Sequence, residues 1–137
     1  SEAYEKKWVE DTIFNSRDVK LAVCDINTGK YIGNVYMTDI NQLNRTCVSH
    51  TLTGDKAYWG QGYAKEALML ALDYMFNERN MNRVQAIVLE SNVASLKMHQ
   101  KCGYQIDGLL RQSVYKNGKY QNQYVLSLLK EDYLKLG

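Results

Sequence analysis

The chain has 137 residues, of which 45% are hydrophobic and 23% charged, with a formal net charge of +2. This length suits one domain with a substantial core, and the scattered lysines and arginines do not form the basic stripe of a nucleic-acid-binding protein. No apolar run approaches the roughly 18 to 20 residues that span a bilayer, and no secretory signal pattern opens the chain, so no membrane partner is expected.

The cysteines and histidines do not form a metal-binding pattern. Cys24, Cys47 and Cys102 are odd in number and irregularly spaced, and neither of the two histidines lies near a cysteine in the sequence. Zinc sites need clustered Cys and His ligands, so the sequence predicts no metal. Unpaired thiols are typical of a cytoplasmic protein, which is the predicted location.

The first half of the chain predicts a helix followed by three strands. Tyr4, Trp8, Val9 and Ile13 recur at helical spacing, which predicts an amphipathic helix over 3–15. Two alternating, β-rich runs then flank the turn signal Asn27–Lys30 and predict a hairpin. A third strand is predicted over 44–54.

The second half predicts two helices and three more strands. The face formed by Ala64, Leu68, Ala71, Leu72 and Met75 predicts a long helix that stops at Asn80. A buried strand over 83–90 precedes a short helix, capped by Ser91 or Asn92 and ended by Gly103. Two long strands then flank the hairpin signal Lys116–Lys119. The order α, β, β, β, α, β, α, β, β predicts an α+β fold, a mixed sheet with helices on it.

Two glycines stand at the start of the long helix. Gly60 and Gly62 leave the backbone amides of residues 61–65 open to an anion, which the positive end of a helix attracts. A tight turn that needs glycine only for its dihedral angles is an equal alternative. A nucleotide P-loop requires Gly-Lys-Ser/Thr, which Tyr63-Ala64-Lys65 does not provide, and a dinucleotide fingerprint requires a small residue where Lys65 stands.

The short second helix and its cap carry three polar residues that are each about one helical turn apart. Asn92, Ser95 and His99 lie at i, i+3 and i+7 and therefore share one face, which we expect to line a cleft. The alternative is that Asn92 is only a helix cap, Ser95 is incidental and His99 is a surface residue.

Together these motifs resemble the GNAT acetyltransferase superfamily, over nearly the whole chain. The stretch Trp59 to Ala64 is similar to its pyrophosphate loop, Gln/Arg-x-x-Gly-x-Gly/Ala, with tryptophan in place of the polar first residue. Asn92, Ser95, Gly103 and Tyr104 match the later Asn-x-x-Ala/Ser-x-x-x-Tyr-x-x-x-Gly-Phe motif, with His99 where tyrosine is commonest. The stretch "WGQGYAKEAL" resembles the sequences of the branch that includes ribosomal-protein alanine, spermidine and amino-sugar acetyltransferases.

The resemblance implies a strongly twisted mixed sheet that splays open between the strand before the glycine loop and the strand after it. Acetyl-CoA, the cosubstrate, would lie in that split. The resemblance assigns its binding to the backbone of the preceding strand, to the glycine loop and to the second helix, at Leu52, Thr53, Gly54, Gly60, Gln61, Gly62, Tyr63, Ala64, Lys65, Asn92 and Ser95.

Direct acetyl transfer needs an oxyanion donor, a proton for the leaving thiolate and a neutral amine. A backbone N–H near Leu52 is expected to serve as the oxyanion donor, and His99 is the candidate acid. Many relatives carry a glutamate that acts as the general base at the position of Ser49. A serine cannot take a proton from an ammonium group unaided. His50 is expected to point to the opposite face of the strand. No base is assigned.

The acceptor is expected to be a small amine, with an amino sugar ranked above a polyamine or a protein N-terminus. Relatives bind the acceptor near the segment that here carries Asp39, Asn44 and Arg45, although a solvated loop explains the same residues. The rival class is a non-catalytic acyl-CoA-binding domain, which would not need His99.

The resemblance also implies one acetyltransferase domain over 1–137. The strand and helix with which the family normally begins are expected to be missing, which would expose a sheet edge. A homodimer paired through the long final strands is a further possibility.

Overall fold

The computed structural model describes residues 4–9, 18–53 and 62–136, and for residues 4–9 and 52–53 it describes the backbone. Within these residues the chain forms seven strands and three α-helices. In chain order they are β1 Tyr4–Val9, β2 Val19–Asp25, β3 Tyr31–Asn41, β4 Thr46–Thr53, α1 Tyr63–Asp73 with a π-helical extension Tyr74–Glu78, β5 Arg83–Leu89, α2 Val93–Lys101, β6 Gln105–Lys116, β7 Lys119–Leu129 and α3 Lys130–Lys135.

All seven strands belong to one mixed sheet in the order β1-β2-β3-β4-β5-β7-β6. The pairing of β4 with β5 is parallel and the other pairings are antiparallel. Parallel strands require a crossover connection, and α1 supplies it between β4 and β5. The predicted α+β fold with a mixed sheet and flanking helices is therefore confirmed.

The sheet opens between its two central strands. β4 and β5 pair only at Thr46↔Arg83, Cys47↔Val84 and Val48↔Gln85. β4 nevertheless continues along β3 as far as Thr53, and β5 continues along β7 as far as Leu89. Among the described residues the inner edges of the two strands are thus unpaired with each other beyond Val48 and Gln85, which is the splay that the family resemblance implied.

Both predicted hairpin turns are present. Gly29 has a φ of 73° and donates its N–H to the carbonyl of Asp25 at 2.8 Å, which closes the turn between β2 and β3. Asn117 and Gly118 both have positive φ, 54° and 78°. Two consecutive positive φ values define a type I′ turn, whose twist matches the flanking strands β6 and β7.

The helix predicted over 3–15 is wrong for the part that the structure describes. Residues 4–9 form strand β1, which pairs antiparallel with β2 from Tyr4↔Asp25 to Val9↔Lys20. Tyr4 and Trp8 are four residues apart, a spacing that suits a helix face and one face of a strand equally, so the edge of β2 decided the outcome. Residues 10–17 lie outside the described part of the chain.

The core lies between the sheet and the helices. Leu68, Ala71, Leu72 and Met75 of the predicted apolar face are buried, whereas Ala64 is half-buried. α1 contacts β3, β4 and α2. Asn80 has a φ of 57°, consistent with the predicted stop. The other completely buried side chains come from both halves of the sheet and from the end of α1, among them Ile32, Val35, Met37, Phe76, Val84, Leu126 and Leu128.

The last helix, α3, was not predicted. Its acidic Glu131 and Asp132 lie in the first turn and Lys135 in the last, the charge order that a helix dipole favours, so the signal was present in the sequence. The Tyr133 hydroxyl donates to Asp73 at 3.1 Å, and its ring packs on Phe76 with centroids 5.0 Å apart. α3 therefore covers the π-helical end of α1.

Candidate active site

The backbone amides of the first turn of α1 lie ahead of its first closed helical turn. Gly62 is the N-cap residue, with a φ of 79° and no side-chain cap, and Glu66 is the first residue to close a helical turn, donating to the Gly62 carbonyl at 3.0 Å. A methyl group placed on Gly62 would meet no atom within 4 Å. Helix amides before the first closed turn carry partial positive charge, so this end can bind an anion. Gly54, Gly60 and Gln61 lie outside the described residues.

The open edge of β4 leads from the split toward this helix end. Leu52 pairs with Asn34 and Thr53 with Gly33 on β3, and both lie beyond the last pair that β4 makes with β5. An extended ligand in the split would therefore meet main-chain groups, as an added strand does. Tyr63, Ala64 and Lys65 follow at the helix start, although the segment 54–61 between them is not described.

The three polar residues of α2 form one connected chain. The side-chain oxygen of Asn92 accepts from the N–H of Ser95 at 3.1 Å, so Asn92 is the helix cap. Ser95 Oγ lies 3.3 Å from Nδ1 of His99, and the Ser95 carbonyl oxygen lies 2.8 Å from the same nitrogen. Asn92 is exposed, whereas His99 is only 4% exposed. The surface alternative for His99 is therefore wrong.

The surroundings of His99 favour the neutral ring. A carbonyl oxygen only accepts, so Nδ1 must carry the proton that it donates to Ser95, and Nε2 of the neutral ring is left as an acceptor. Burial lowers the pKa of His99, and the hydrogen bond to the Ser95 backbone offsets only part of that shift. At neutral pH this histidine is accordingly a better proton acceptor than the proton donor that the sequence analysis expected.

Two side chains meet where the split begins, and sequence reasoning missed their contact. Ser49 is the first β4 residue beyond the paired segment, and its Oγ lies 3.3 Å from the Gln85 carbonyl and 2.8 Å from the Tyr104 hydroxyl. Tyr104 is 3% exposed, as expected for a core residue, and burial raises its pKa far above the ordinary range. Its ring meets His99 edge-on, with centroids 5.0 Å apart.

His50 lies on the opposite face of β4, as predicted. It is exposed, and its Nε2 is 2.8 Å from the Thr38 hydroxyl, whereas the adjacent Ser49 is buried.

The two buried cysteines are not reactive thiolates. Burial raises the pKa of Cys102 to about 11 and that of Cys47 to about 12. Neither is a thiolate at neutral pH.

The predicted acceptor residues do not lie at the split. Asn44 and Arg45 belong to the turn before β4, and the Arg45 carbonyl accepts from the N–H groups of Asn82 and Arg83 at the start of β5. Asp39 lies in the bulge of β3 opposite the same end. Strands rise about 3.3 Å per residue, so this turn is roughly 20 Å from Leu52 along β4. The structure therefore gives no support to these three as acceptor contacts.

The described residues include no group of three or more His, Cys, Asp or Glu side chains arranged to hold a metal ion. In the same part of the chain, no helix combines the length and the apolar character that crossing a bilayer would take.

Comparison with known proteins finds relatives that are named N-acetyltransferases. An N-acetyltransferase called p20 from Bacillus licheniformis, itself uncharacterized, is 30% identical over 126 residues, which cover 91% of this chain and 70% of that protein. The spermidine N(1)-acetyltransferase of Escherichia coli K12 is 29% identical over 111 residues, 81% of this chain and 58% of its own length. This chain thus spans less than two thirds of the enterobacterial enzyme.

A solved structure and a family model agree with these relatives. The crystal structure of a spermidine/spermine N-acetyltransferase from Vibrio cholerae superposes with a TM-score of 0.83 at 25% identity, covering 90% of this chain and 71% of that one. The model of the acetyltransferase (GNAT) domain matches residues 1–105. The chain therefore belongs to the GNAT acetyltransferase family.

Proposed function

We propose that this chain transfers the acetyl group of acetyl-CoA directly to a primary amine of a small molecule. The observation that carries the proposal is the split between β4 and β5, where Ser49 contacts Tyr104, whose ring in turn meets the buried His99. A non-catalytic binding domain is disfavoured, because the relatives are named N-acetyltransferases.

The donor would be held mainly by the main chain. Amides at the start of α1, from Gly62 to Lys65, would bind the pyrophosphate, and the edge of β4 at Leu52 and Thr53 would pair with the pantetheine arm. Asn92 would contact the same arm through the amide nitrogen that its capping bond leaves unused. Gly54, Gly60 and Gln61 are assigned to this site on the sequence motif alone.

Transfer would proceed by attack of a neutral amine on the thioester carbon. The C–N bond forms first and gives a tetrahedral intermediate, whose oxyanion a backbone N–H near Leu52 would hold; the C–S bond then breaks, and the nitrogen gives up one proton as it becomes an amide. We assign His99 to proton transfer through Nε2, since Nδ1 is committed to Ser95. In that arrangement the proton taken from the amine can be returned to the departing thiolate.

We propose an amino sugar as the first acceptor to test. Spermidine is the second, because relatives are named for the acetylation of spermidine.

The free thiols of Cys24, Cys47 and Cys102 suit the reducing cytoplasm, which we propose as the location. We also propose that residues 1–137 act as one domain, because the described strands form a single sheet.

Calorimetric titration with acetyl-CoA, with NAD and ATP as controls, tests the donor site. We expect micromolar binding of acetyl-CoA alone, followed by release of free thiol when glucosamine or spermidine is added. Binding without thiol release from any amine would favour the non-catalytic alternative. The absence of selective binding to this chain would contradict the proposed function for residues 1–137.

The same titration separates two contributions of Asn92. Asn92→Ala removes the cap and should cost about 1 kcal/mol of folding stability, whereas Asn92→Asp keeps a capping oxygen and should not. The carboxylate has no amide N–H, so Asn92→Asp should weaken acetyl-CoA binding about threefold to tenfold, the value of one hydrogen bond. Full affinity in Asn92→Asp would limit Asn92 to capping.

A homodimer through β6 is also part of the proposal. β6 forms the outer edge of the sheet, and its apolar Ile106, Leu109 and Leu110 are 42–44% exposed. Antiparallel pairing with β6 of a second copy would continue the sheet and cover these side chains. Sedimentation velocity of the chain, compared with Leu109→Lys, measures this directly.

A further inference from the structure

A parallel ladder that stops inside a sheet leaves backbone groups without partners. The ladder between β4 and β5 stops at Val48↔Gln85, two half-buried residues beside the buried Ser49. Buried carbonyl groups are costly when unpaired, so something must satisfy the carbonyl of Gln85 where the next strand pair would have been. Ser49 Oγ occupies that position, 3.3 Å from the Gln85 oxygen.

The direction of the hydrogen bonds follows from their chemistry. A carbonyl only accepts, so the Ser49 hydroxyl proton points to Gln85. The serine oxygen must then accept from the Tyr104 hydroxyl at 2.8 Å. Ser49 and Tyr104 are 4% and 3% exposed, so water does not compete with either bond. The two groups form a continuous bridge from β4 to β5 and to the segment after α2.

We propose that Ser49 and Tyr104 form a clasp that fixes the separation of β4 and β5 at the point where the split begins. Both are positioning residues, because they act through the strands that they join. The consequence for acetyl-CoA, whose arm would enter between those strands, rests on the proposed function. The clasp itself is a property of the unliganded protein.

The chain offers a matched control for this idea. Ser127 is also a buried serine in a strand, 7% exposed, but its hydroxyl serves Asp107 on the neighbouring strand and does not cross the split. Ser49→Ala and Ser127→Ala therefore remove the same atom, with the loss of two hydrogen bonds at Ser49 and of one at Ser127. Ser49→Thr keeps the hydroxyl, and Tyr104→Phe removes only the second bond of the clasp.

Amide hydrogen exchange, followed by NMR on the unliganded full chain, tests the clasp. In Ser49→Ala the amides of the β4–β5 ladder, residues 46–48 and 83–85, should exchange at least about threefold to tenfold faster, because that is the range for one lost hydrogen bond and this variant loses two. Amides of the β2–β3 ladder should not change. Ser127→Ala should leave the β4–β5 ladder unchanged, Ser49→Thr should restore it, and Tyr104→Phe should weaken it.

Titration of the same variants with acetyl-CoA supplies the second readout. Ser49→Ala should bind about threefold to tenfold more weakly than wild type, and Ser127→Ala should not. Unchanged exchange at the ladder would overturn the clasp, even if affinity falls, because Ser49 would then act by direct contact. Faster exchange confined to the ladder would support the clasp even if wild type fails to bind acetyl-CoA, an outcome that would refute only the proposed function.

Discussion

Gly62→Ala should weaken acetyl-CoA binding about tenfold to a hundredfold, the equivalent of one charge-assisted hydrogen bond. The added methyl group would not clash with the protein, since Gly62 is exposed and no atom lies within 4 Å of the new carbon. It would instead stand at the N-cap position beside the amides of the first turn of α1 and hold a phosphate away from them. Titration calorimetry on the folded variant measures the change.

Gly29→Ala is the control for backbone strain. Gly29 and Gly62 have nearly equal positive φ values, 73° and 79°, and a methyl group on either one meets no neighbour. Both substitutions should therefore lower stability by a similar amount, about 1 kcal/mol. Only Gly62→Ala should lose affinity. Equal affinities in the two variants would mean that Gly62 is required for the turn alone, the alternative left open by the sequence.

His99→Asn should lower kcat about a hundredfold to ten-thousandfold, the usual contribution of a general acid or base, while acetyl-CoA affinity stays nearly constant. Asparagine can keep an N–H in place of Nδ1 and its bond to the Ser95 carbonyl, but it has no equivalent of Nε2. His50→Asn is the matched control, because His50 is exposed and bonded to Thr38. Equal kcat in both variants and wild type would remove His99 from the mechanism.

The pH dependence of kcat/KM then distinguishes a base from an acid. Burial lowers the pKa of His99 below its ordinary value of 6.5, so the ring is mostly neutral at pH 7. If neutral Nε2 accepts the proton, the limb due to His99 should appear only below pH 6.5, as the pH drops through that lowered pKa. If His99 had to donate, the rate would already be declining as the pH rises toward 7. His99→Asn should lack whichever limb belongs to this residue.

The elements that sequence predicted correctly are those with local signals. Asn117-Gly118 defines its hairpin within four residues, and the apolar face of α1 repeats over three turns. β1 was misassigned because Tyr4 and Trp8 satisfy two periodicities, and only the edge of β2 decides between them. A local sequence pattern carries no information about a partner strand that comes from elsewhere in the chain.

The candidate site shows the same division. Asn92, Ser95 and His99 were found together because one helix turn separates each from the next. The contact between Ser49 and Tyr104 joins residues 55 positions apart, and neither has a motif that specifies the other. The neutral state of His99 depends on burial by distant segments, so the acid assignment made from the ordinary pKa alone had no access to it.

The unpaired inner edges of β4 and β5 have a consequence for how such a protein can change over time. A ligand that hydrogen-bonds to backbone N–H and C=O groups is recognised by atoms that every residue type except proline provides in full. Substitutions along 50–53 and 86–89 can therefore accumulate while donor recognition persists, provided that the strands keep their outer partners β3 and β7. Selection on the amine acceptor can then act on side chains elsewhere without loss of the donor site.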